Sequence, residues 1–124
     1  MKKNFEVDET GYIKFPDTLR NKRLSNKKRI ELSIEKFEVL KEYTKKNKSQ
    51  PEWDGSSSCP LCWKYNWMEN DNASIGCTGC PIEKKTGKSG CIDTPYENQI
   101  LLAYDWKEYV KAFESEIKFL KSLL

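Results

Sequence analysis

The chain contains no histidine. Its absence removes the commonest general base and leaves cysteine as the main side chain for a closed zinc site. No apolar run approaches the roughly 18 residues of a membrane span. The opening MKKNFEVDETG starts basic but has no apolar core of the secretory-signal type. These absences point to a cytoplasmic protein with no membrane partner. In a reducing compartment the five cysteines are better suited to metal binding or reactivity than to disulfides, and an odd number closes poorly into pairs. The zinc-deaminase signature of His-x-Glu with Pro-Cys-x-x-Cys is also missing, and four thiolates around one ion leave no open coordination position. A non-enzyme is expected.

What is present fits a single domain over residues 1–124. Hydrophobic residues make up 37% of the chain and charged residues 33%, so the core is adequate but small and a metal staple would help to hold it. The formal charge of +3 conceals an asymmetry. Residues 1–50 carry fourteen Lys/Arg against eight Asp/Glu, residues 51–95 four against six, and residues 96–124 four against five. Positive charge therefore belongs to the first third of the chain.

The sequence predicts a small, α-rich α+β domain. In residues 1–16, Phe5 and Val7 alternate with polar residues, Asp8–Gly11 has turn chemistry, and Tyr12, Ile13 and Phe15 follow, which reads as an N-terminal β-hairpin. Ile30, Ile34, Phe37 and Leu40 recur at intervals of four, three and three, giving one face of a helix over 27–46, with Ser25 or Asn26 as cap. Thr94-Pro95-Tyr96-Glu97 has the form of a capping box with proline at the first helical position, so a long C-terminal helix is expected over 95–123. Along it Leu102, Trp106, Tyr109, Phe113, Ile117, Leu120 and Leu124 form a stripe that must face the Ile30–Leu40 surface or a second copy of the chain. The second option implies a homo-oligomer.

Between the helices lies the Cys-rich stretch 59–91. Two Cys-x-x-Cys pairs, Cys59/Cys62 and Cys77/Cys80, have fourteen residues between them and are followed by Cys91. This is close to the spacing of a four-thiolate zinc site, in which two short knuckles turn their sulfurs inward and the metal contributes folding free energy. Structural Zn²⁺ held by four of the five thiols is the leading reading, and buried thiols without metal are the plain alternative. An iron–sulfur cluster would suit Cys80-Pro81, but the tight ferredoxin run is missing. A redox pair at Cys59/Cys62 would need a βαβ context that the sequence does not offer. Cys91 can replace one of the four ligands, lie buried beside them, or remain a reactive thiol.

Three other features bear on ligands. Thr86-Gly87-Lys88-Ser89-Gly90 imitates the end of a phosphate loop, but Ile82 stands where that motif requires its first glycine. A plain connecting loop and a weak anion-binding turn both remain open. Arg20, Lys22, Arg23, Lys27, Lys28 and Arg29 form a basic run with no acid, which suits phosphates or a solvated helix entrance. Trp63, Tyr65 and Trp67 alternate just after the first knuckle and could stack on a base. The candidate ligand-binding set is thus Arg20, Arg23, Lys27, Arg29, Trp63, Tyr65, Trp67 and Lys88.

The order Cys59-Pro-Leu-Cys62, Cys77-x-x-Cys80-Pro81-Ile82, Thr86-Gly87, Cys91 and Thr94-Pro95-Tyr96 resembles a pattern in short cysteine-rich accessory proteins of tailed bacteriophages. It covers about residues 59–96. The resemblance implies that all five cysteines form one structural unit and that the chain acts in a host-cell cytoplasm, where such proteins bind host factors or sequester the nucleotide signals of antiviral defence. The expected function is therefore non-catalytic binding of an anionic, nucleotide-type ligand. The alternatives are a zinc-knuckle nucleic-acid-binding regulator and a protein–protein inhibitor of a host factor.

Overall fold

A computed structural model of the chain describes residues 6–7, 13–15, 23–49, 60–61, 80–87, 94–95, 99–100 and 102–124. Two helices dominate this part. Helix α1 spans Asn26–Asn47. Its start is fixed by Ser25, which has extended backbone and whose Oγ accepts the Lys28 N–H at 3.1 Å. No acid lies in its first turn, so the local cations oppose the helix dipole there, whereas Lys45 and Lys46 complement it in the last turn. The helix ends where Lys48 adopts a left-handed backbone, φ 51°. The short helix α2, Pro81–Thr86, has proline at its start and the left-handed Gly87 just past its end, and the Gly87 N–H donates to the Glu83 carbonyl at 2.6 Å. Helix α3 spans Trp106–Lys121.

Pro95 is helical and residues 99–100 are π-helical, but the single helix expected over 95–123 is interrupted before α3 begins at Trp106. Its N-cap is Asp105, whose Oδ1 accepts the Glu108 N–H at 2.8 Å, while Glu108 Oε2 accepts the Tyr104 N–H at 3.2 Å. This pair of bonds caps α3 at Asp105–Glu108. Upstream, Ala103 N–H bonds to the Ile100 carbonyl in a tight turn, and residues 102–105 are not helical. Leu102 is consequently off the stripe, with 73% of its surface exposed. Thr94 is fully buried, and Tyr96 and Glu97 lie outside the described residues.

The α+β assignment is also corrected. Among the described residues the architecture is helical. Strand pairing is limited to Glu6↔Lys14 and Val7↔Ile13, between β1 (Glu6–Val7) and β2 (Ile13–Lys14). Two residue pairs do not make a layer on which helices can pack, so among the described residues the expected N-terminal β-hairpin does not form a sheet layer of the fold. Phe15, which follows β2, is buried in the helical core.

That core sits between α1 and α3. Ile30, Ile34, Phe37 and Leu40 on α1 are buried together with Tyr109, Phe113, Ile117 and Leu120 on α3. Phe113 is completely enclosed, its ring centroid 5.9 Å from that of Phe37 and 6.0 Å from that of Tyr109. Each such side chain contributes roughly 1.5–3 kcal/mol through removal from water. The stripe that could have faced a second copy of the chain is therefore covered within one chain by α1. The two helices differ in enclosure. On α3 the buried positions form one stripe, but on α1 Arg29, Leu32, Ser33 and Lys36 are buried as well. Helix α1 thus has a second covered face.

Candidate functional site

The second face of α1 meets the cysteine stretch. Pro60 and Leu61, the two residues between Cys59 and Cys62, form a turn and are buried. Cys80, the last thiol of the second pair, is buried as the N-cap of α2, and Ile82 two residues on is buried in the same core. Cys59, Cys62, Cys77 and Cys91 lie outside the described residues. Among the described residues no group of three or more Cys, Asp or Glu side chains is placed to hold a metal. As a donor Cys80 suits zinc: it is a soft ligand on a short element, held away from bulk water.

Arg29 connects these parts. Although its side chain was expected in a basic surface patch, only 6% of it is exposed. Its Nη1 donates to the Pro60 carbonyl at 2.8 Å and its Nε to the Leu24 carbonyl at 3.3 Å. One turn on, the buried Ser33 Oγ donates to the Arg29 carbonyl at 3.0 Å. Lys36 is also buried, with its Nζ 4.4 Å from the centroid of the Phe37 ring. A cation so placed keeps some electrostatic compensation from the ring face. Arg29, Ser33 and Lys36 follow helical intervals of four and three. That spacing is visible in the sequence, but polar side chains in such a pattern read as a solvated face.

The remaining candidate ligand residues are not brought together by the described part. Arg23 and Lys27 are exposed around the entrance of α1, whereas Arg20, Trp63, Tyr65, Trp67 and Lys88 lie outside the described residues. The adjoining Gly87 N–H is already used to close α2, which removes one of the backbone donors that an anion-binding turn at 86–90 would need.

A different surface feature was not anticipated. The C-terminal end of α3 lies beside the N-terminal half of α1, and between them is an open groove of about 530 Å³. Leu32, Ile34 and Leu124 are its apolar lining residues, and Lys28, Glu31, Glu35 and Glu38 of α1 and Lys121 of α3 its charged ones. Lys121 Nζ approaches Glu38 Oε1 at 3.9 Å in an exposed pair. Three carboxylates against two ammonium groups make this groove unsuitable for a nucleotide and better matched to a cationic surface.

The described residues define a two-helix scaffold in whose core Leu61, Cys80 and Ile82 of the cysteine stretch are buried, with Arg29 of α1 bonded to Pro60. No family model matches the chain, and neither the curated proteins nor the solved structures contain a match to it. Among the described residues no helix is long and apolar enough to cross a membrane.

Proposed function

We propose that the chain is a non-catalytic binding protein of the phage accessory type, in which four of Cys59, Cys62, Cys77, Cys80 and Cys91 hold a structural zinc ion. One observation carries this reading: the turn inside the first Cys-x-x-Cys pair and the last cysteine of the second pair are buried in the same core. A buried thiol at Cys80 and a buried turn inside the other pair suit a staple better than an open reaction centre. Zinc there would fix the cysteine segment against α1 and leave the outward surface to bind. The proposed ligand is anionic and of nucleotide type, held by Arg23 and Lys27 with the Trp63, Tyr65 and Trp67 rings, in the cytoplasm of a bacterial host.

Native mass spectrometry of the full chain with added nucleotides tests both parts. One zinc per chain and a nucleotide adduct recovered unchanged are expected. Ligand at 100 times its dissociation constant should stabilise the protein by about 2.7 kcal/mol, readable as a thermal shift. Appearance of product would instead establish an enzyme. A metal-free chain that melts identically with and without chelator would remove the zinc reading.

Two alternatives have their own observables. A nucleic-acid regulator should lose DNA or RNA affinity steeply with salt, and the double variant Arg23→Glu/Lys27→Glu should flatten that slope. Absence of binding at low salt would dismiss it. A protein–protein inhibitor is favoured by the acidic groove and by the exposed Leu102 and Tyr104. It should bind a basic partner surface, and Glu31→Lys/Glu35→Lys should abolish that binding.

A further inference from the structure

We infer that Arg29 is the positioning residue of the thiolate site, a latch that holds the first Cys-x-x-Cys turn in its metal-ready shape; the inference rests on the zinc reading above. Arg29 is remote in sequence from every cysteine, yet its guanidinium reaches the carbonyl of Pro60, the residue immediately after Cys59 and two before Cys62. It does so from a buried position and at 2.8 Å, the length of a charge-assisted bond. A carbonyl inside a metal knuckle is an effective place for such a donor. Fixing it fixes the backbone turn that decides whether the flanking sulfurs converge. The burial of Leu61 beside it locks the same turn from the apolar side.

The geometry of the fork gives the latch its specificity. Nη1 takes Pro60 while Nε takes Leu24, so one planar cation joins the residues before α1, the helix itself and the knuckle. A lysine has a single nitrogen and cannot span two carbonyls approached from different edges of a guanidinium. The positive charge also lies beside a segment that becomes more negative when thiolates bind a divalent ion, and a buried anionic centre needs such compensation. Partners that orient metal ligands without touching the metal typically alter metal affinity 10–100-fold when removed.

The experiment uses the full-length chain, zinc ion alone as the probe, and a chromogenic chelator in competition, well below the melting temperature. Three variants are compared: Arg29→Met, Arg29→Lys and Thr44→Ala. Thr44 is a control for general loss of stability. It is completely buried on the same helix, its Oγ1 donating to the Leu40 carbonyl at 2.7 Å, four turns from Arg29. Zinc affinity should fall about 10–100-fold in Arg29→Met. Arg29→Lys should recover part of this loss, and Thr44→Ala should bind zinc as the parent does although it melts earlier.

If Arg29→Met fails to fold, Arg29→Lys decides on the same scale. Parent-like affinity in the folded Arg29 variants overturns the latch and leaves the zinc reading intact. An equal loss in Thr44→Ala overturns it too, because zinc binding would then follow global stability. A parent chain that binds no zinc removes both.

Discussion

Replacing Phe113 by alanine tests where the stabilising contacts of this protein lie. Phe113 is fully enclosed between α1 and α3 and meets the Phe37 and Tyr109 rings at centroid separations of 5.9 and 6.0 Å. Truncating a buried phenylalanine removes its transfer free energy and leaves a cavity, together about 3–5 kcal/mol. A domain of this size has about 5–15 kcal/mol in all, so the variant should lose about a fifth or more of its stability. Urea titration followed by far-ultraviolet circular dichroism would read the loss as a lower midpoint at unchanged slope. The matched variant is Leu102→Ala. A continuous stripe beginning at Leu102 would make the two comparable, but Leu102 is 73% exposed and precedes the α3 cap, so its loss should stay within about 0.5 kcal/mol. A Phe113→Ala loss below about 1 kcal/mol, or a Leu102→Ala loss of equal size, would refute the packing argument. A double-mutant cycle between Phe37→Leu and Phe113→Leu should further give a coupling of about 0.5–1.5 kcal/mol.

Three further substitutions address helix ends. Asp105→Ala removes the acceptor of the Glu108 N–H and should lower stability by about 1 kcal/mol in the same titration. An unchanged midpoint would mean that α3 begins elsewhere. Lys48→Gly should raise the midpoint and Gly87→Ala should lower it, each by about 0.5–1 kcal/mol, since both positions have positive φ. A Cβ at Gly87 meets no atom within 4 Å, so a loss there would be conformational and not steric.

The apolar pattern Ile30, Ile34, Phe37 and Leu40 made α1 legible, because a helix packed on one partner announces that face by period. Its second face was not legible. Arg29, Ser33 and Lys36 have the right spacing, but their burial depends on backbone carbonyls and rings supplied from elsewhere in the chain. The interruption before α3 was not legible because two sites have cap chemistry. Thr94-Pro95-Tyr96-Glu97 is the more complete local signal, yet Asp105-Trp106-Lys107-Glu108 sits at the end of the turn closed by Ile100 and Ala103. The apolar period runs on through Leu102 regardless, and local propensity has no term for that turn. Helix α2 carried both of its signals, Pro81 at the start and Gly87 past the end, but it is only six residues long and lies within a motif that drew attention to its cysteines. The residue that joins that motif to the scaffold belongs to the basic run, where charge alone suggested a ligand surface.

The pairing of α1 with α3 also bears on how the chain reaches its native state. Residues 48–105 lie between the two helices, so the main hydrophobic contact is non-local even though the described part of the protein is helical. Bundles of consecutive helices fold quickly because their contacts are near in sequence, and this one lacks that advantage. Closure entropy rises only slowly with loop length, about 0.6 kcal/mol for each doubling, so shortening the intervening segment would do little for equilibrium stability. Its effect is on timing: the apolar face of α1 lacks its main helical partner until α3 has been made, and anything that gathers the intervening residues early shortens the interval in which that face is open to wrong partners.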